Sequence, residues 1–545
     1  MGILSSFNLG IISITVIIEI IFIIIIIYII NYYYNYYNRL NPLPGPFPLP
    51  LIGNHYLFHI NDYSKFLKKC YEKYGDLFEI YVTGERQICL GKLNDFDKLF
   101  NPSSKTNFKL RNLYNSGLDE FGVSGYGIVF NHNFNSWQFN RKFFNQAILT
   151  PSFNHLSLSQ TQIFIKELTN YWNNISENNI NFDLRKWMFS FINDLLLDLF
   201  IGKRSYSINK YYSELINDNN FDDNNNNDKD DNKDVGYAEL LLKYVDGYTF
   251  HLFFGAYAKY IPIFKGIAKN HIINRNNYWN YIYNIINDHK KIIENTSKDQ
   301  LRQDLITLLL TANIDHDINI SKSKVQDFNP DLQRPLNDKE LLINLSESIG
   351  GGVDAISSLF IFLIYDIIKN PEVIIKIREE VVNILGKDPR NINMEDLDKF
   401  KYIEAVIKES IRINSLTPFV DRYNDVSDEV SGYIWPANTH FIMNSSGTQS
   451  DSNFWENPEK FDPERFINPS LNNNLKALIL FGGGIRICPG RKLGMIILKT
   501  LTALLVPQFD FELVNPNVPM KIRYAIFNQP DELYIRIKKR DISLK

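Results

Sequence analysis

Apolar residues run along this chain in three rhythms, and each predicts a different element. Near the start they are continuous. Ile11 to Ile30 is twenty residues long and contains fourteen isoleucines, about the length that crosses a bilayer core. Those isoleucines gain roughly 4–8 kcal/mol on insertion against about 3 kcal/mol lost at Glu19, so the run predicts one membrane-spanning helix. Tyr32, Tyr33, Tyr34, Tyr36 and Tyr37 follow as an interfacial aromatic belt. Arg39 comes after the span and no Lys or Arg before it, which places the rest of the chain in the cytosol. The basic leader and small-residue cleavage site of a signal peptide are both missing. Further on, the rhythm is helical. Leu341, Leu342, Leu345, Ile349, Val353, Ile356, Phe360 and Leu363 share one side of a predicted helix from Lys339 to Ile368. Gly350, Gly351 and Gly352 interrupt it at about 1 kcal/mol each relative to alanine. A planar ligand lying against the backbone would account for them; so would a hinge. Leu493, Ile496, Ile497, Thr500, Leu501 and Leu504 predict a second helix. Short strands are predicted at Tyr81–Thr83 and Ile88–Leu90.

Polar and proline-rich stretches divide the rest. The alternating prolines of 42–50 predict a stiff extended segment. Asn217 to Asp234 has Phe221 as its one apolar residue and reads as a disordered Asn/Asp-rich loop. Ser321 to Pro335 reads as a second polar loop. This divides the chain into an anchor with its aromatic belt, 1–40, and a large unit, 41–545. With 545 residues, 45% hydrophobic, the chain can bury a substantial core, and a net charge of −3 gives no electrostatic footprint for nucleic acid. Cys70, Cys89 and Cys488 are its three cysteines, which do not make a disulfide framework and suit a reducing compartment.

One cysteine carries the chemistry. Phe481-Gly482-Gly483-Gly484-Ile485-Arg486-Ile487-Cys488-Pro489-Gly490 puts a thiol in a glycine-rich turn directly before an apolar helix. A metal-bound thiol loses its proton and becomes a strong donor, and thiolate ligation of haem iron favours O–O cleavage. A helix N-terminus stabilises such an anion, and Pro489 suits the first helical position. The glycines let a flat ligand approach the backbone. Phe481 would shield the sulfur, and Arg486 would pair with an acidic haem substituent.

The full ten-residue pattern resembles the haem-binding signature of the cytochrome P-450 superfamily (F-x-x-G-x-R-x-C-x-G), with Phe481, Gly484, Arg486, Cys488 and Gly490 at its fixed positions. Three further stretches resemble the family in order. Trp137 to Arg141 matches W-x-x-x-R, whose indole N–H and guanidinium suit a haem propionate. Glu409-Ser410-Ile411-Arg412 matches E-x-x-R, and Phe461 to Phe466 matches the segment whose arginine, here Arg465, completes a structural charge triad with Glu409 and Arg412. Arg422 falls where many members place another propionate arginine. Gly351-Gly352-Val353-Asp354-Ala355-Ile356 matches the oxygen-side motif, with the catalytic acid Asp354 retained and the usual threonine replaced by Ala355. Ser357 and Ser358 lie a turn too far on to replace it.

The resemblance covers roughly 42–540. It implies a mainly α fold with a small β-rich lobe behind one transmembrane helix, and haem b (iron protoporphyrin IX) on the Cys488 thiolate. It implies a monooxygenase of the endoplasmic reticulum membrane. Such an enzyme puts one oxygen atom from O2 into a small, mostly apolar substrate, with electrons from an NADPH-dependent flavoprotein reductase. That partner would be separate, since no dinucleotide-binding fingerprint is present, and Arg141, Lys142, Arg491 and Lys492 are candidate docking contacts. Two other readings share most of these residues. Ala355 supports an isomerase or dehydratase that takes a peroxide without a reductase. A haem-bearing binding protein without turnover needs no relay at all.

Overall fold

The isoleucine run is one unbroken helix, Gly2–Tyr37, in the computed structural model. The structure describes residues 2–58, 62–82, 84–103, 105–111, 116–218, 236–312, 334–386, 390–467, 475–524 and 527–541. From Val16 to Tyr37 the helix is long and apolar enough to cross a membrane, and its isoleucine side chains are exposed on every side. The tyrosines do more than end it. Tyr33 stacks on Phe47 at 5.3 Å, and Tyr36 packs edge-on against Phe47 and Tyr81. Arg39 Nε and Arg86 Nη2 both reach the buried Glu79 carboxylate at 2.5 Å. The proline segment then runs extended against the sheet, where the Glu79 N–H donates to Pro44 O.

The other described residues are mainly helical. The central helix Asp338–Lys369 packs against Leu184–Ile201 and against Lys401–Asn414. Its start is a capping box: Asn337 and Glu340 each accept the other's backbone N–H. The helix passes straight through its glycines, so they are not a break. A Cβ on Gly352 would lie 2.6 Å from Leu196 Cδ1, and one on Gly351 would meet nothing within 4 Å. Gly352 therefore admits the neighbouring helix, while Gly351 opens onto a cavity.

Four small sheets are present among the described residues, two of them two-stranded pairs, Asp428–Val430 with Tyr433–Trp435 and Ile522–Tyr524 with Asn528–Pro530. Of the larger two, one orders Leu77–Val82, Glu85–Leu90, His440–Met443 and Val420–Tyr423. The other orders Phe182–Asp183, Tyr534–Lys539 and Phe509–Leu513. The first two strands are longer than the sequence predicts because alternate residues on both faces are covered. Beyond Asn217 and Asp218, which end the helix Ser207–Asp218, the Asn/Asp-rich segment up to Asp234 lies outside the described residues. So do Thr83 and 321–333.

Candidate active site

Cys488 enters the cavity from a turn whose geometry differs from the sequence expectation. The following helix begins at Arg491, with Gly490 as its N-cap. Pro489 thus precedes the helix instead of opening it, because the glycine takes the non-helical cap position. Cys488 N–H donates to Phe481 O at 2.9 Å and closes the turn. Burial pushes the thiol up from its ordinary range, while the Gly490 N–H, Arg141, Arg111 and Arg491 oppose that. A Cβ on Gly490 would sit 3.9 Å from the sulfur, so the glycine keeps that side open. Gly484 has φ +65°, and a Cβ there would lie 2.8 Å from Phe100 O. Only glycine fits both demands.

Four arginines, Arg111, Arg141, Arg422 and Arg486, line the same cavity as Cys488. Arg422, Arg486 and Arg141 are only 2%, 6% and 8% exposed. Their hydrogen bonds go largely to backbone carbonyls. Arg141 Nη2 donates to Ile487 O, Arg422 Nη2 to Gly483 O at 3.0 Å, and Arg486 Nε to Lys109 O at 3.1 Å. Arg141 Nε and Arg486 Nη1 are buried with no hydrogen-bond partner. Among the described residues, the ion pair this group makes is Arg111 with Asp421, at 3.1 Å. The charges press on one another. Burial and then Arg111 bring Arg422 down to about 9, burial brings Arg141 down to about 10, and burial with Arg422 and Arg111 drives Arg486 well below the usual range. A buried cluster so short of counter-charge suits a ligand carrying carboxylates beside a metal-binding sulfur.

Trp137 corrects one expectation. Its indole N–H donates to Ile128 O at 3.0 Å, so it is committed to the backbone and not to a ligand. Its ring instead carries the Arg486 guanidinium at 3.8 Å. Arg141 is corrected in its second role: buried under the turn, it is removed from the docking surface, whereas Lys142, Arg491 and Lys492 stay exposed. Arg111 was not legible in the sequence, because no local motif marks it.

Asp354 and Ala355 border the same cavity. Burial raises Asp354 to about 6, against the pull of Arg185, a Gln529 hydrogen bond and Arg523. Ser357 Oγ donates to Val353 O at 2.5 Å and Ser358 is buried, so neither stands in for the missing threonine. The charge triad lies behind this site. Arg412 grips Glu409 with two bonds of 2.7 and 2.8 Å, and Arg465 Nε reaches the same carboxylate at 3.3 Å.

Comparison with known proteins agrees with this arrangement. The chain is 25% identical to cytochrome P450 71B31 of Arabidopsis thaliana, covering 86% of this chain and 88% of that one. It is 26% identical to (+)-vincadifformine 19-hydroxylase of Catharanthus roseus, with 89% of each covered. It is 27% identical to a probable cytochrome P450 514A4 of Dictyostelium discoideum, over 88% of this chain and 89% of that one. The Cytochrome P450 family model matches residues 43–536, and the chain belongs to that family of haem-thiolate monooxygenases.

Proposed function

We propose that residues 41–545 form the catalytic unit of a membrane-anchored monooxygenase, held by the 1–40 segment at the endoplasmic reticulum and facing the cytosol. Cys488 would hold haem b through its thiolate sulfur. Arg141, Arg422, Arg486 and Arg111 would hold its propionates, with Trp137 bracing Arg486. Phe481, Gly484 and Gly490 shape the sulfur's pocket. The observation that carries this reading is the buried arginine group, short of counter-charge and with donors left over, beside the half-buried Cys488 thiol. The cofactor would supply the binding and reductive cleavage of O2.

This chain's residues supply the rest. Glu409, Arg412 and Arg465 fix the core behind the cofactor. In the net reaction a substrate C–H becomes C–OH and the second oxygen leaves as water, with two electrons from a flavoprotein reductase that oxidises NADPH and two protons from solvent. Asp354 is the proton carrier, with a carboxyl that holds its proton to about pH 6. Gln529 orients it. Because Ala355 brings no hydroxyl, a water or a substrate hydroxyl bridges the last step. The reductase docks on the face that exposes Lys142, Arg491 and Lys492. The substrate is a small, mostly apolar molecule, since Phe419, Phe527, Leu359 and Ile356 face the cavity. Support for a peroxide isomerase or a non-catalytic protein is confined to Ala355, whereas the relatives include a hydroxylase.

The test uses purified full-length protein loaded with haem. The reduced carbon monoxide complex should show the thiolate absorption, and Cys488→Ser should abolish it. With NADPH, reductase and labelled O2, label should enter the product. A nitrogen-ligand spectrum, or turnover only from added peroxide without reductase, overturns the assignment.

A further inference from the structure

The cavity is not apolar throughout. Glu347 sits on the central helix seven residues before Asp354, about 10 Å nearer the helix start at 1.5 Å per residue. It borders the same cavity. The N–H groups of Ile128 and Val129 both donate to its Oε2, at 2.7 and 2.9 Å, and the Phe130 N–H lies close to the same carboxylate; Ile128 and Val129 leave Oε1 facing the cavity side. Gly127 makes the approach possible, because a Cβ there would lie 2.4 Å from that carboxylate. Tyr244 and Tyr248 face this place from the helix Gly236–Phe254. They are 2% and 5% exposed, and neither hydroxyl completes a hydrogen bond among the described residues. Trp279 is the hydrogen-bonding neighbour of Tyr244 and Glu347 that of Tyr248, each lying just outside the geometry of a completed bond. Burial raises Glu347 to about 7 and both phenols well above their ordinary value, and the three groups are close enough to perturb one another.

Two buried phenols without a completed bond among the described residues leave donors unsatisfied, which destabilises the empty protein. They are worth retaining if a ligand completes them. The three groups together offer one acceptor and two donors. A protonated amine would satisfy Glu347 and could donate to the phenol oxygens, but it leaves both phenol O–H groups without an acceptor. A carboxylate would accept from the phenols but meet the charge of Glu347. A neutral alcohol does both, donating once and accepting twice.

We propose that Glu347, Tyr244 and Tyr248 form a polar pole that binds the hydroxyl of an apolar alcohol and so sets which end of the substrate reaches the reaction centre. The proposal rests on the monooxygenase reading above and adds the substrate class to it. The alcohol's hydroxyl is held two helical turns from Asp354, so oxidation falls on a carbon remote from it and the product is a diol.

Calorimetric titration of the haem-loaded full-length protein with 1-octanol, octyl methyl ether, octylamine and octanoate tests this. Octanol should bind about tenfold more tightly than the ether, which keeps the acceptor and loses the donor. In Glu347→Gln that ratio should fall to about two, because the charge-assisted bond is lost. The double variant Tyr244→Phe/Tyr248→Phe should weaken octanol about fivefold while leaving the Glu347 backbone contacts in place. Equal affinity for octanol and ether, tightest binding of the amine or the carboxylate, or octanol affinity unchanged in both variants overturns the proposal. The reduced carbon monoxide spectrum, recorded on the same samples, reports separately on the haem assignment. A failed spectrum with the octanol preference intact sinks only that assignment; a normal spectrum without the preference sinks only the polar pole.

Discussion

Two groups of buried arginines lie within this protein, and they are opposites. Around Glu409 the account is closed: Arg412 and Arg465 share one carboxylate, and the Asp462 N–H donates to it as well. Around Cys488 it is open: three deeply buried arginines lean on carbonyl oxygens, with donors left over. The difference is the reach of the anion: Glu409 touches both of its arginines, whereas Asp421 pairs with Arg111 and leaves Arg141, Arg422 and Arg486 outside any ion pair among the described residues. A closed cluster stabilises a fold. An open one raises the free energy of the empty protein and recovers it on binding an anionic ligand.

The contrast is sharpest when a charge is removed. Glu409→Gln strands the buried Arg412 guanidinium and releases Arg465 at the rim, and should cost about 3–5 kcal/mol, read as a lower urea midpoint whether or not haem is bound. If the loss is below about 1 kcal/mol, the triad is not closed in the way described. Arg422→Met or Arg486→Met should do the reverse to the haem-free protein, leaving its urea midpoint unchanged or higher, because an uncompensated charge goes. The same variants should weaken haem retention about tenfold to a hundredfold, the worth of one charge-assisted pair. Transfer of haem to apomyoglobin measures this, and unaltered retention would break the comparison.

A smaller effect comes from pH. Burial holds Asp366, close to Glu409, up at about 7, opposed by bonds from Ser410 and Asn414. Because its folded value lies above the unfolded one, the native state binds the proton more tightly. Its contribution is therefore full below about pH 4 and is lost as pH rises through about 7. Melting temperature should fall between pH 5 and 8, with a shallower fall in Asp366→Asn. The smallest effect is Arg465→Lys, at about 1 kcal/mol or less in urea unfolding, since this arginine stands at the rim of the triad, 3.3 Å from Glu409, with Nη2 on Asn457 O.

The closed cluster was far more legible in the sequence than the open one. Glu409 and Arg412 sit at i,i+3 on one helix, and Arg465 follows in a recognisable segment, so short-range spacing announces them. Cys488 and its glycines are likewise one contiguous stretch. Arg111, Glu347 and the two cavity phenols carry no such signal. Glu347 draws its interest from backbone donors more than two hundred residues earlier in the chain, and Arg111 from a strand residue, Asp421, three hundred residues later. Only the fold puts them in one place. Trp137 shows the other kind of limit: its position could be read, but the partner of its N–H could not, because Ile128 approaches only once the preceding loop is folded.

The join between anchor and domain has a mechanical meaning. The helix that would lie in the bilayer does not hand over to a slack tether: its last turns are clamped by Tyr33 and Tyr36 on Phe47 and Tyr81, and Arg39 locks onto the buried Glu79. It behaves as a mast stepped into a deck. A tilt of that mast must carry with it the strand that holds Glu79 and Tyr81.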